Sequence, residues 1–258
     1  AAGFDGIDVL VEASSSITEG AGFVLTAIEN KKHVVLMNAE IDLLFGPLFL
    51  LRARENGVIV TSCDGDQHGV IKQLIDDIKL WGFEPLMAGN IKGFLDISSN
   101  PVKIIPEADK RRLDYKMCTA YTDGSKLSIE MAILANALDM HALKPGMTGP
   151  RAKSVTEVLS LFDFDAIRKN GKPVVDYILG AEPGGGVFAV GYHENPYQAF
   201  MMEYYKMGRG PYYLFYRPYH LCHVESIASI VSPVINGYSL LEPTYGFKAN
   251  VFAYAKKT

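Results

Sequence analysis

From Ile7 to about Gly89, short and almost uninterrupted apolar runs alternate with segments whose apolar residues recur at helical spacing. "IDVLVEA" precedes "TEGAGFVLTAIENKK", in which Ala21, Val24, Leu25 and Ile28 share one face. "VVLMN" precedes "GPLFLLRAREN", with Pro47 suited to a first helical turn, and "GVIVTSCD" precedes "HGVIKQLIDDIKLWG", with Ile71, Leu74, Ile75 and Ile78 in phase. A strand that is apolar at successive positions is buried on both faces. Strands separated by amphipathic helices are parallel, because the crossover helix brings the chain back to the same end of the sheet. The pattern predicts α/β architecture with part of a doubly wound parallel sheet.

Residues 1–86 thus read as the C-terminal part of a Rossmann-like dinucleotide-binding domain. The remainder is less regular and predicts an α+β substrate and dimerisation domain over 87–240, with 241–258 a further start or return segment. Its strand candidates are "GVFAVGYHE", "PYYLFYRPYHL" and "YGFKANVFAYAKK", and its helix candidates are "KLSIEMAILANAL", "PYQAFMMEYYKMG" and "VESIASIVSPVI". The polar stretch around Asn100 to Asp114 reads as a connection. At 258 residues and 48% hydrophobic content the chain can bury a sizeable core. A net charge of -4, with no basic run longer than "KRR" at Lys110 to Arg112, excludes a nucleic-acid or anionic-membrane footprint and points to a small partner. Cys63, Cys118 and Cys222 are odd in number and widely spaced. That argues against a disulfide framework or a zinc site and fits core thiols in a reducing, cytoplasmic setting. The apolar run "IDLLFGPLFLLRA" carries Asp42 and a Gly-Pro break and is too short to span a membrane. The aromatic, methionine-rich stretch Tyr197 to Tyr219 predicts a homodimer interface.

In open parallel sheets ligands bind beyond the carboxyl ends of the strands. The three apolar runs end in "EASSS", "MNAEID" and "TSCDGDQHG". Ala13, Ser14 and Ser15 would contact a cofactor, although serines here also suit a helix cap. Asn38 and Glu40 would face a nicotinamide or its ribose, although Asn38 is equally a capping residue. "CDGDQHG" gathers Asp64, Asp66, Gln67 and His68 around Gly65, more charge than a turn needs. Asp66 is taken as catalytic and Gly65 as cofactor-binding.

In "YTDGSKLSIEMAILANA", Lys126 and Glu130 stand one helical turn apart on one face. Leu127, Met131, Leu134 and Leu138 form an apolar stripe, and the opposite side carries Ser128, Ala132, Ala135 and Asn136. Such a helix has little face for water, so its charges are expected to line a cleft rather than a surface. Lys92 in "GNIKG" and His220 in "YRPYHLCHVE" complete the catalytic candidates.

The segments "DVLVEAS", "KKHVVLMNAE", "AGNIKG" and "GSKLSIEMAILAN" resemble the catalytic half of homoserine dehydrogenase. "GDQ" at Gly65 to Gln67, "YKMCTAYTDGSKLSIEMAILANA" and "YYLFYRPYHLCHVESIAS" are similar to the homoserine-dehydrogenase-like oxidoreductases with a C-terminal SAF domain, a group that includes enzymes acting on 1-deoxyxylulose 5-phosphate. The resemblance implies an NAD(P)-dependent oxidoreductase. It also implies that a glycine-rich phosphate loop precedes Ala1 and a SAF-like domain follows Thr258 in the natural protein.

The departures matter as much as the match. Ala39, not a lysine, follows Asn38, and the charges on the later helix are exchanged, with Lys126 where the family has Asp and Glu130 where it has the catalytic Lys. A site built for an amino-acid zwitterion does not survive that exchange, so homoserine is not the expected substrate. Two alternatives stand beside the oxidoreductase reading. One is a reductoisomerase on a phosphorylated sugar, which would use a divalent metal on Asp66 and Glu130. The other is a non-catalytic cofactor-binding or assembly protein, for which Lys126 and Asp66 would not share a cleft.

Overall fold

The computed structural model describes residues 3 and 5–242. The expected strand "YGFKANVFAYAKK" and nearly all of the segment 241–258 lie outside the described residues. The chain opens with β1 (Val9–Glu12), α1 (Ile17–Glu29), β2 (His33–Leu36), α2 (Ala39–Asn56) and β3 (Val60–Ser62). The three strands form a parallel sheet in the order β1-β2-β3, with Val34 opposite both Leu10 and Val60. Ala21, Val24 and Ile28 of α1 pack with Phe49, Leu50 and Ala53 of α2 against Val34, Leu36 and Val60. The side chain of Ser16 caps α1, accepting from the Glu19 amide, and Asn38 caps α2, accepting from the Glu40 and Ile41 amides at 3.1 and 3.3 Å. Because Asn38 starts α2 early, Pro47 lies inside that helix and not in its first turn as its spacing had suggested.

Next come α3 (Gln67–Leu80), β4 (Glu84–Lys92), α4 (Ile105–Arg111), α5 (Tyr115–Thr122) and α6 (Ser125–Ala137). The stretch expected to be a polar connection therefore carries a short helix. Then follow α7 (Val158–Leu161), α8 (Phe164–Asn170), β5 (Val174–Leu179), β6 (Val187–Tyr192), α9 (Pro196–Tyr204) and β7 (Tyr212–Arg217). A second, mixed sheet runs β5-β4-β6-β7, with β5 parallel and β6 antiparallel to β4. One face packs on α7 and α8 through Val158, Phe164 and Ile167. The other packs on α3 and α6: Ile71, Leu74, Ile75 and Ile78 meet Leu127, Met131, Ala88, Ala189 and Phe215. The apolar stripe of α3 thus serves the mixed sheet, although its N-terminus follows directly from the parallel one. Each fully buried isoleucine contributes roughly 1.5–3 kcal/mol.

Helix α6 lies between the two sheets. Its Leu127, Met131 and Leu134 join the mixed-sheet core, while Ile133 packs with Ala39 of α2 and with Leu241. Gly124, at φ 91, turns the chain into this helix, and Asp123 accepts from the Ser125 amide at 2.8 Å. After β7 the chain returns to the first sheet through α10 (Cys222–Glu225), α11 (Ile227–Val231) and a π-type turn at Ser232–Asn236. The single helix expected over "VESIASIVSPVI" is therefore broken. Pro233 has no amide hydrogen to continue an α-helical ladder. The Ser62 amide donates to the Leu241 carbonyl at 2.9 Å, so the return ends against β3.

Gly65 is where this returning segment touches the β3–α3 turn. A Cβ on Gly65 would lie 2.4 Å from the Cys222 carbonyl oxygen and 2.8 Å from its Cα. Both are backbone atoms that cannot rotate away. Gly65→Ala is therefore expected to destabilise the protein by about 1–3 kcal/mol, read as a lower urea midpoint at constant m-value; an unchanged midpoint would show that the contact is loose.

Candidate active site

A cavity of about 990 Å³ opens where the carboxyl ends of the strands converge. Ala13, Ser14 and Ser15 reach it from the end of β1, Asn38 and Glu40 from β2, Asp66 and Gln67 from β3, and Lys92 from β4. Helix α6 contributes Lys126 and Glu130, and the segment after β7 contributes His220 and Cys222. All five expected catalytic residues and all but one of the expected cofactor contacts thus meet around one space. The exception is Gly65, whose open face is turned onto the Cys222 backbone.

Lys126 is the centre of the electrostatics. Its Nζ donates to Asp66 Oδ2 at 3.2 Å and lies 3.3 Å from Glu130 Oε1, with the Tyr121 ring centroid 5.7 Å away. Burial works against its charge, but the Glu130 carboxyl group and the Asp66 carboxylate beside it outweigh burial and raise its pKa well beyond the ordinary lysine range. Asp66 also caps α3 and accepts from the Gln67 amide at 2.9 Å. Burial alone would raise its pKa, yet the Lys126 charge and the Gln67 amide bring it down to about 2, so it is ionised at neutral pH.

Glu130 behaves in the opposite way. It is fully buried; burial and the Asp66 charge push it up to about 8 against the pull of Lys126 and Lys92, so it keeps its proton at neutral pH. Two carboxyl groups beside one ammonium therefore hold different protonation states, the arrangement that separates an acid from a fixed counter-ion. Burial lowers Lys92, with Glu130 opposing. His68 is buried with no partner for either ring nitrogen among the described residues, and burial takes it down to about 4, leaving a neutral imidazole.

The serines and Asn38 have capping roles as well as positions at the cavity. Asn38 is the cap of α2 and also donates to the Ser14 carbonyl at 2.8 Å, tying the ends of β1 and β2 together. Ser16 is the cap of α1, whereas Ser14 binds Glu12 through both its amide and its hydroxyl while still lining the cavity. His220 is half-buried, with Nδ1 2.9 Å from the Gly185 carbonyl and Nε2 3.5 Å from Gln67 Nε2.

Other cavity residues escaped the sequence reading. Arg111 ends α4 and Lys116 lies in the first turn of α5, and both reach the cavity wall with Tyr121. A signal for α4 was present: Pro106 and Glu107 early, Lys110 and Arg111 late, the usual polarity of a helix. Gly184 had no local signal, since only the pairing of β4 with β5 and β6 delivers it. Among the described residues no group of three or more His, Cys, Asp or Glu is placed to hold a metal ion. Asp66 and Glu130, the oxygen ligands expected for one, both lean on the Lys126 ammonium.

Residues 65–226 match the family described as the catalytic domain of the oxidoreductase DRL. No curated protein matches the chain. Among solved structures, a putative oxidoreductase, yvaA, from Bacillus subtilis is 13% identical over 38% of this chain and 30% of its own, with a TM-score of 0.29. A probable dehydrogenase from Thermotoga maritima is 11% identical over 75% of this chain and 56% of its own, with a TM-score of 0.38. The chain thus spans less than two thirds of either, and neither likeness is close enough to inform the chemistry. The family match covers well over half of the sequence, including α3, α6, the Asp66–Lys126–Glu130 cluster and the segment carrying His220: the chain belongs to the DRL oxidoreductase family and contains its catalytic domain.

Proposed function

We propose that this oxidoreductase uses a nicotinamide cofactor to interconvert an alcohol and a carbonyl, and that its substrate is not homoserine. The observation that carries this reading is the Lys126 ammonium held between Asp66 and Glu130 in a cavity at the carboxyl ends of parallel strands. A purely structural ion pair has no need of such a cavity. Ala13, Ser14, Ser15, Asn38 and Glu40 would hold the nicotinamide end of NAD(P), beside the N-termini of α1 and α2. The fit rests on unused polar atoms: Gln67 Oε1 and Glu130 Oε2 are buried on the cavity wall and, among the described residues, have no hydrogen-bond partner, which leaves them for a ligand.

A bound nicotinamide supplies or accepts a hydride at the substrate carbon. The residues handle the proton. Lys126 Nζ donates a hydrogen bond to the carbonyl oxygen and passes it a proton as negative charge develops. Glu130, protonated at neutral pH and 3.3 Å away, returns a proton to Lys126. Asp66 stays ionised and keeps the ammonium in place. Lys92 and His220 flank this centre and orient the substrate. Exchange of Lys and carboxylate relative to homoserine dehydrogenases removes the pairing that an amino-acid zwitterion needs.

A second reading, a reductoisomerase on a phosphorylated sugar such as 1-deoxyxylulose 5-phosphate, is favoured by Arg111 and Lys116 on the cavity wall, two cations suited to a phosphate. A metal on Asp66 and Glu130 does not fit, because one ammonium already serves both carboxyl groups. Turnover of hydroxy acids, ketoses and sugar phosphates by the full-length protein with NAD and NADP decides between the two.

Three outcomes are expected. Lys126→Met lowers turnover by at least ~100-fold with cofactor affinity nearly unchanged, as read by steady-state kinetics and cofactor titration; wild-type turnover would remove α6 from the chemistry. The second concerns pH. The folded chain keeps the Glu130 proton up to about pH 8, whereas the unfolded chain releases it near the ordinary carboxylate value, about 4. The native state therefore binds more protons between those values. Its stability falls as pH rises across the window, by up to roughly 1.4 kcal/mol per unit. Urea denaturation at several pH values should show that fall, and Glu130→Gln should flatten it; an identical slope in the variant would assign the titration elsewhere. Third, Tyr197, Phe200, Tyr204 and Tyr205 are exposed on and just after α9, a surface that supports a homodimer. Light scattering should give a dimeric mass, and a monomer would withdraw that expectation.

A further inference from the structure

Cys63 and Cys222 are 159 residues apart in sequence, yet their sulfurs lie 3.8 Å apart in the fold. All three cysteines are free thiols, Cys63 and Cys118 buried and Cys222 half-buried. Cys63 follows β3 directly and is fully buried, with its amide bound to the Leu36 carbonyl at 2.9 Å. Cys222 begins α10, is half-buried and lines the cavity. Gly65, two residues after Cys63, lies against the Cys222 backbone with no room for a Cβ between them. A second clamp lies alongside: the Asp64 amide donates to Ser229 Oγ at 2.7 Å, and the Ser229 amide donates to Asp64 Oδ1 at 3.2 Å. Both thiols are thus held on segments fixed to each other, and a disulfide of ~2.05 Å would need the sulfurs to approach by less than ~2 Å.

We propose that Cys63 and Cys222 form a redox-modification site, at which hydrogen peroxide converts the two thiols into a disulfide that fastens α10 to the turn between β3 and α3 at the cavity wall. The two S–H bonds are replaced by one S–S bond. The two protons and two electrons released reduce one peroxide molecule to two waters. Peroxide is small enough to enter through the cavity, where Cys222 is its point of contact and Cys63 waits behind it. The contact between the two thiols pushes Cys63 down and Cys222 up, so once peroxide has converted Cys222 to a sulfenic acid, releasing one water, the Cys63 thiolate displaces the second water to form the S–S bond. The bond acts on the candidate active site because His220, two residues before Cys222, stands on the same wall. Cys118 also lines the cavity but has no sulfur neighbour among the described residues, which makes it an internal control.

The test is made on the folded protein treated with hydrogen peroxide at a concentration that oxidises free cysteine. The intact mass is expected to fall by two hydrogens and peptide mapping to join the peptides of Cys63 and Cys222. Cys118 should remain open to alkylation, dithiothreitol should restore the original mass, and the thermal midpoint should rise by several degrees because the cross-link closes a long loop. Cys222→Ala should abolish the mass loss and leave Cys63 unlinked, whereas Cys118→Ser should not affect it. A mass gain of oxygen on Cys222 without a cross-link, a link through Cys118 or between chains, or an unchanged mass would each overturn the proposal. The wild-type peptide map decides the matter even if a variant does not fold.

Discussion

The burial of α6 between two sheets is the constraint on which the rest depends. A helix covered by α2 on one side and by α3 and the mixed sheet on the other, and wet only around Ser125 and Ser128, leaves little room for a solvated charge. It nevertheless carries Lys126 and Glu130 in its first turns. Their desolvation is tolerable only because Asp66 reaches Lys126 from the start of α3 and because Glu130 keeps its proton. The parallel sheet, the mixed sheet and the charge cluster are therefore parts of one solution. Moving α3 relative to α6 would leave a buried ammonium with one carboxyl neighbour and expose the unused carboxyl oxygen of Glu130.

The same geometry accounts for the position of the cavity. The parallel strands β1 to β3 deliver their polar turns to one end of their sheet as a matter of topology, and the end of β4 in the mixed sheet lines the same cavity. The floor comes from α6, and the remaining walls come from α5 and from the segment that returns after β7. The returning segment is held by backbone contact at Gly65 and by the Asp64–Ser229 clamp, not by a large apolar interface of its own. Val224, Ile227 and Ile235 on it are exposed. A wall attached through a few polar contacts and one tight backbone approach is well suited to being fastened or released by a single covalent bond.

Protonation follows from depth. Asp66 and Glu130 are the same functional group near the same ammonium. Asp66 accepts from a backbone amide and from Lys126, whereas Glu130 has the Lys126 ammonium at 3.3 Å and, among the described residues, no backbone donor. A hydrogen bond to the charged form favours ionisation and its lack leaves desolvation in command. The division of labour between a fixed counter-ion and a proton reservoir needs no other cause.

Much of this was legible in the chain itself. The alternation of apolar runs and amphipathic segments determined the parallel sheet, because local periodicity reports which faces must be buried. The same reasoning marked α6 as a helix without a wet face, and the polar strand ends as the place where a ligand would sit. Other features were beyond it. Pro47 looked like a helix start until the Asn38 cap took that role, Gly65 looked like a cofactor contact until the returning segment occupied its open face, and α3 looked like a partner of the parallel sheet until β4 and β6 claimed its apolar stripe. The meeting of Cys63 with Cys222, the delivery of Arg111 and Gly184 to the cavity wall and the unequal ionisation of Asp66 and Glu130 all depend on residues far apart in sequence. Short-range pattern determines what each segment must bury; only tertiary packing decides which distant group it is buried against, and with it the charge each carboxyl group carries.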